Sequence, residues 1–370
     1  MSRNLVGLDI GSSGARAAEV VPGGRRARLR RFASVPLAPG VVRAGAVADA
    51  AALTDALKSL WAEGRFHSKD VALGIGSSGV LVRQLDLDWM PAADFRKALR
   101  FQVQDVLPFS VDQANLDYHL LEELEVQNED GTTRRVSRIM LVAAAREVVD
   151  AFVDAAKRAG LRVVAVDLLP FALLRARTGE PTLDAAATEA IVDVGADVTS
   201  VVVHTGGVPR YVRMIPGAGG DSVTEAIQER YGWTWEESER TKVYVGLPGH
   251  AHLDPLQRSV VGEPHDGLDH AAQRVVAEAV VELADEIGTT LDFYRDAAEE
   301  RRVERVLLSG AGSLLGGFAE QLSARLALPV ERLDIRNQVK ASGRLRLDRL
   351  EDAAVASLAV PTGLCVGASL

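Results

Sequence analysis

The sequence predicts an α/β fold in which two related domains face one another across a cleft, with a small α+β module inserted into the first. Three observations carry this. An apolar strand running into an Asp-x-Gly turn occurs at Gly7-Leu8-Asp9-Ile10-Gly11-Ser12-Ser13 and again, about half a chain later, at Ile191-Val192-Asp193-Val194-Gly195-Ala196-Asp197. A period that long marks a duplicated domain rather than a solenoid. Short apolar strands alternate with helical spacings through both halves, as layered α/β architectures require. A strand-helix-strand-strand unit interrupts the first half near residue 80.

The elements follow in order. Residues 5 to 35 alternate like strands, with Gly23-Gly24 as a turn. Among the basic residues Arg25, Arg26, Arg28, Arg30 and Arg31, period-two spacing places several on one solvated strand face, a reading preferred to a basic binding patch. Ala50 to Glu63 has helical spacing and Val71 to Ile75 is a short buried strand. Val80 to Leu87 alternates as a strand, and Pro91 opens a helix with Phe95, Leu99, Val103 and Val106 on one face. Leu116 to Leu124 and Val136 to Ala143 are strands around the loop Asn128-Glu129-Asp130-Gly131. A helix from Glu147, a strand at Val163 to Val166 and a helix from Pro170 resume the first domain.

The second half opens with the repeated hairpin, continues through the glycine-rich Pro216-Gly217-Ala218-Gly219-Gly220 into helices at Ser222 to Tyr231 and Trp235 to Val245, and then loses periodicity from 246 to 269. That stretch holds His250, His252 and His265, with His270 beyond; lacking cysteine partners or i, i+4 spacing, it reads as a solvated loop rather than a metal site. A long helix from Ala272 to Glu300, a strand at Val303 to Leu308, the turn Ser309-Gly310-Ala311-Gly312-Ser313 and a helix from Gly317 to Ala327 complete the half. The uncharged stretch Ala353 to Leu370 reads as one buried helix rather than a membrane anchor, because Pro361, Gly363 and Gly367 interrupt it.

Composition narrows the function. The chain has 370 residues, of which 47% are hydrophobic, enough for a large core. A net charge of −9 argues against a nucleic-acid footprint, which needs a concentrated basic face. One cysteine, Cys365, makes no internal disulfide, and the N-terminus enters strand pattern without an apolar signal segment, so a cytoplasmic location is expected. Either Asp-x-Gly hairpin alone is as readily an ordinary turn. Repeated, the pair reads as a phosphate clamp in which glycine turns bring backbone N–H groups to phosphate oxygens and each aspartate faces a hydrated cation.

The order of hairpin, connecting helix, second hairpin and glycine-rich turn resembles the actin-like ATPase superfamily over the whole chain. Within it, Leu99 to Phe109 followed by Asn115-Leu116-Asp117-Tyr118 is similar to the PilM family of type IV pilus assembly. The resemblance implies two duplicated domains around a nucleotide cleft: residues 1–80, 147–185 and 353–370 in the first domain, 81–146 in the inserted subdomain, 186–225 and 301–352 in the second, and 226–300 in a helical subdomain. It assigns ATP and Mg2+ to Asp9, Gly11, Ser12 and Ser13 and to Asp193, Gly195 and Thr199, with the two aspartates near the metal's waters. Gly217, Gly219 and Gly220 would lie beside phosphates and ribose. Glu239 and Lys242 would reach ribose and adenine, or else form an ordinary helical pair. Gly310, Gly312 and Ser313 would form the adenine loop.

The departures also carry expectations. Leu169 stands where relatives have a glutamate that orients the attacking water, so hydrolysis is expected to be slow or absent. The resemblance further implies that the inserted subdomain takes the short cytoplasmic tail of a PilN-like membrane protein, bringing the chain to the inner face of the cytoplasmic membrane without inserting into it. Phe101, Phe109 and Tyr118 are the candidate anchors in a groove, although partial burial in the module core is the preferred reading of all three. Other pilus platform proteins and a second copy of the chain are further possible partners. A filament-forming ATPase of the FtsA or MreB type and a sugar kinase are the alternative functions. The first would call for a C-terminal amphipathic helix in its FtsA form, and the second for a catalytic aspartate that the connection at 163 to 174 does not offer.

Overall fold

A computed structural model describes residues 5–21, 27–127, 131–178, 187–249, 269–297, 302–342 and 345–368. The Gly23-Gly24 turn with Arg25 and Arg26, the loop residues Asn128 to Asp130, and His250, His252 and His265 lie outside the described residues.

The first sheet uses β1 (Leu5–Ile10), β2 (Gly14–Val21), β3 (Ala27–Pro36), β6 (Asp70–Ile75) and β10 (Arg162–Leu168), in the order β10-β6-β1-β2-β3, and β16 (Val339–Ala341) pairs outside β3. The second uses β11 (Thr188–Val194), β12 (Val198–Thr205), β13 (Val208–Pro216), β14 (Arg305–Ser309) and β15 (Val330–Arg332), in the order β13-β12-β11-β14-β15. Each sheet repeats one plan: a central strand (β1 or β11) antiparallel to the next strand and parallel to the later one. The residues 339 to 341, expected in the second domain, instead hydrogen-bond along β3 and extend the first sheet.

Central strands are buried on both faces, as the unbroken run Leu5-Val6-Gly7-Leu8 shows. On one face of the first sheet lie α1 (Ala50–Gly64), capped by the Asp49 side chain, and α3 (Arg146–Arg158), which enclose Val6, Leu8, Leu53, Leu57, Leu60 and Phe152. Between the sheets, α4 (Leu169–Thr178) packs on the C-terminal helices in a core shared by both domains. The second sheet is covered by α5 (Gly220–Tyr231), α6 (Trp235–Val245), the long α7 (Asp269–Ala297) and α8 (Phe318–Leu326).

The single C-terminal helix expected from the sequence is two, α9 (Asp352–Ala356) and α10 (Ala359–Gly367). Pro361 has no N–H for the carbonyl of Ser357, and its ring clashes there, so the helix breaks and restarts. Contact of α10 with α4 is close enough that a side chain at Gly363 would fall on the Ala172 carbonyl. Among the described residues no helix is long and apolar enough to cross a membrane.

The inserted module is β7 (Val80–Asp88), α2 (Ala92–Gln102), β8 (Ala114–Gln127) and β9 (Thr133–Ala145), with strand order β7-β9-β8. Phe95, Leu99 and Val103 pack on Ile139 and Leu141, while on the other sheet face Arg138 bridges Asp86 and Glu122 across all three strands. At the module's root Ile75, Val80, Ala144, Val149 and Leu168 form a small cluster, against which Phe171 of α4 and Met214 of β13 pack. Tyr118 is half-buried and packs against the module core, its ring 4.9 Å from that of Phe95. Phe109 is half-buried, whereas Phe101 stands 77% exposed.

Candidate functional site

Both hairpins end at one cleft of about 1330 Å³ between the domains. β1 delivers Asp9 and turns through Gly11-Ser12-Ser13, closed by the Gly11 N–H donating to the Gly14 carbonyl at 3.0 Å. β11 delivers Asp193 and turns the same way, the Gly195 N–H donating to the Val198 carbonyl at 3.1 Å. Equivalent hydrogen bonds at equivalent positions make this a structural repeat and not merely a likeness of letters.

The second hairpin supports the rest of the site. Its carbonyls at Gly195 and Ala196 accept the N–H groups of Gly220 and Asp221, so that the first turn of α5 sits on the hairpin. A Cβ at Gly219 would come within 2.2 Å of the Ala196 carbonyl, and one at Gly310 within 2.4 Å of the Val194 carbonyl. At Gly310 the backbone also has φ +81, which glycine adopts without strain. The two glycine-rich segments are therefore fixed by backbone approach to one strand end.

Burial pushes the Asp193 carboxyl up to about 6, and the charge of Asp9 adds to the effect. Asp9 is likewise raised by burial, against the pull of Arg16. Arg16 stands opposite Asp9 in the β1–β2 ladder, 3.9 Å from its carboxylate, and donates to Ser13 Oγ at 3.0 Å. A buried and a half-buried carboxylate beside one guanidinium hold an unmet demand for positive charge.

Lys242 is buried, and its ammonium donates to the Gly220 carbonyl at 2.9 Å, to Thr224 Oγ1 at 2.9 Å and to Glu239. It thus ties α6 to the glycine turn at the start of α5. The α6 helix is held at its own start by a capping box between Thr234 and Glu237.

Of the residues expected at the site, Asp9, Gly11, Ser12, Ser13, Asp193, Gly195, Gly217, Gly220, Glu239, Lys242, Gly310 and Gly312 line the cleft. Thr199 does not: it pairs with Val194 and is fully buried, so the adjacent Ser200, paired with Asp193, faces the cleft in its place. Gly219 packs behind the cleft wall. Ser313 is buried and donates its hydroxyl to the Gly310 carbonyl at 2.6 Å, bracing the turn from outside. Leu169, the first residue of α4, lines the cleft beside Gly76.

Three further charged residues stand here. Arg16 is a charge in an alanine-rich strand just after the first turn, which is the signal that marks it. Asp221, in the first turn of α5, has its carboxyl pushed up to about 6 by burial. Asp197 accepts the Ala44 N–H from across the cleft. Ala44 and Gly45, both at positive φ, form the two-residue turn between β4 (Val42–Arg43) and β5 (Ala46–Val47), and this turn presents that N–H.

Comparison with known proteins agrees with this architecture. The solved PilM-PilN type IV pilus biogenesis complex contains a chain 25% identical, superposing with a TM-score of 0.79 over 100% of this chain and 98% of that one. The ethanolamine utilization protein EutJ from Carboxydothermus hydrogenoformans is 15% identical, with a TM-score of 0.54 over 98% of this chain and 88% of its own. MreB 5 of Spiroplasma citri bound to AMPPNP is 14% identical, with a TM-score of 0.50 over 90% of this chain and 92% of its own. The fold is that of the actin-like ATPases. The family model of the type IV pilus assembly protein PilM matches residues 7–263 and 267–368. From its first hairpin to its last helix, the chain belongs to the PilM family.

Proposed function

We propose that this chain binds ATP with Mg2+ in the cleft and uses the inserted module with the neighbouring sheet edge to hold the cytoplasmic tail of a PilN-like membrane protein. The observation that carries the nucleotide reading is the pair Asp9 and Asp193, delivered by equivalent hairpin turns and short of positive charge. Among the described residues no group of three or more His, Cys, Asp or Glu side chains converges. A hydrated Mg2+ held by two carboxylates and by phosphate oxygens fits such a donor set. The backbone N–H groups of the two turns would meet the phosphates, and the space beside Glu239, Gly310 and Gly312 would take ribose and base. The metal supplies charge neutralisation.

Leu169 supports slow or absent hydrolysis, since a leucine neither takes a proton nor orients water. The tail reading rests on the similar chain having been solved in a complex with PilN, and on β10. That strand is a sheet edge whose Val164 and Val166 are 43% and 42% exposed. An apolar edge is an aggregation hazard unless covered, and an extended tail would cover it with main-chain hydrogen bonds. Such docking places the chain at the inner face of the cytoplasmic membrane, among other pilus platform proteins.

Calorimetry tests the first part: Asp9→Ala and Asp193→Ala should each lose Mg·ATP affinity, and unchanged affinity in both would remove the assignment. For the second, Phe101→Ala and Val166→Glu should weaken capture of the tail peptide while melting as wild type. Tyr118→Ala should instead lower the melting temperature. Wild-type capture by both Phe101→Ala and Val166→Glu would place the tail elsewhere.

A further inference from the structure

We propose that the end of the first sheet remote from the cleft is a second binding surface, one that lies against anionic lipid headgroups. Strands β1, β6 and β10 run parallel and carry Asp9, Ile75 and Leu168 toward the cleft. Their starts, the starts of β3 and β16, and the ends of α1 and α3 therefore gather at the opposite end. Six exposed cations meet there: Arg28, Arg65, Lys69, Lys157, Arg158 and Lys340. They come from four separate stretches of a chain whose net charge is −9.

None of the six has an acidic partner among the described residues. The buried acids of this end are already committed, Glu19 to Arg30 and Arg31, and Asp70 to Arg162. Glu63 and Asp154, exposed near the ends of the same two helices, offset two of the six.

Complementing the helix dipole accounts for Lys157 and Arg158 in the last turn of α3. It does not account for Arg28 and Lys340, which stand directly opposite one another in the β3–β16 ladder, where like charges repel. Nor does it explain why Arg65 occupies a left-handed position at φ 47, one that glycine takes without strain. At both places the basic residue acts against stability, which calls for a ligand that compensates.

The occupant follows from charge and position. Among the described residues the exposed ring standing among these cations is the imidazole of His67, which is engaged by Arg31 and Glu19 rather than free to stack a base. A plane of phosphate headgroups needs only spread cations, and each Lys or Arg near such a surface strengthens adsorption about fivefold. This inference rests on the tail reading, which keeps the chain within a tail's length of a bilayer.

The test is co-sedimentation with vesicles of phosphatidylcholine alone or mixed with phosphatidylglycerol, at low and high salt, without any tail. The wild-type chain should bind only the mixed vesicles and release them at high salt. The triple variant Arg28→Glu, Lys69→Glu, Lys157→Glu should bind at least ~100-fold more weakly, and the milder Arg28→Gln, Lys69→Gln, Lys157→Gln less weakly than that. Arg230→Glu, Arg274→Glu, Arg332→Glu in the second domain, with the same net charge, should bind as wild type. No binding by the wild type, equal loss in both glutamate variants, or equally tight binding of a single-stranded oligonucleotide would overturn the proposal. Capture of the tail peptide in free solution is measured beside it: its retention with failed vesicle binding sinks this inference alone, and its loss in the wild type sinks the reading beneath.

Discussion

Asp193→Asn is expected to make the protein more stable and, at the same time, a poorer ligand for Mg·ATP. Without a cation the Asp193 carboxyl moves from 3.8 to about 6, driven first by burial and then by Asp9. At ~1.4 kcal/mol for each pH unit, the ionised side chain carries about 3 kcal/mol of unfavourable free energy at neutral pH. Because the folded value lies above the unfolded one, the folded chain holds the extra proton between about pH 4 and 6. This group therefore favours folding at acid pH and ceases to do so as pH rises through 6.

Asparagine cannot ionise and keeps the shape of the side chain beside Ser309, its partner in the β11–β14 ladder. Sharing the repulsion with Asp9 reduces the recoverable part to about 1–2 kcal/mol, a rise in melting temperature of ~2–8 °C. Melting followed by circular dichroism at pH 8 and pH 5, without divalent cation, reads the effect, with calorimetry of Mg·ATP alongside. The gain should be full at pH 8 and about half as large at pH 5. A fall in melting temperature at pH 8, or an equal gain at both pH values, would refute the reasoning from the paired carboxylates.

Other perturbations are as direct. Asp197→Ala removes the carboxylate that takes the Ala44 N–H across the cleft, a charge-assisted bond worth ~1.5 kcal/mol. Stopped-flow dissociation of a fluorescent ATP analogue should accelerate about tenfold, and an unchanged rate would mean that the domains are held by other contacts. Lys242→Met removes the ammonium that donates to three acceptors, with an expected loss of ~2–3 kcal/mol. Melting of this variant at the wild-type temperature would show that the lysine does not brace the glycine turn. Steady-state phosphate release by the wild type should stay far below the order of 10 per second of typical enzymes, and Leu169→Glu should raise it. Turnover by the wild type at that typical rate would end the argument from Leu169.

Local patterns made much of the fold legible. The repeated Asp-x-Gly hairpins and the helix with Leu53, Leu57 and Leu60 on one side are written in apolar spacing that neighbouring residues enforce. What escaped depends on residues distant in sequence. Whether Thr199 or Ser200 faces the cleft is set by cross-strand register with Asp193. Which of the three aromatic residues packs inward is set by how α2 lies on the sheet: Tyr118 rests against Phe95, while Phe101 stands out. The three-residue strand Val339–Ala341 is too short to announce itself, and its partner β3 lies some three hundred residues earlier. The basic end of the first sheet is invisible for the same reason: the arginines near residue 28 read as a solvated face until Lys340 is found beside them.

Met214 gives the molecule a bearing. It belongs to β13 of the second sheet, yet it is seated among Val80, Ala144 and Leu168, where the module, the first sheet and β10 converge. An unbranched thioether can shift across such a seat where a branched side chain would jam. A change in the angle between the two domains must move this contact, and whatever fastens along β10 presses on the same seat. A tail that prefers one angle would then alter nucleotide affinity by the same factor by which nucleotide alters the grip on the tail.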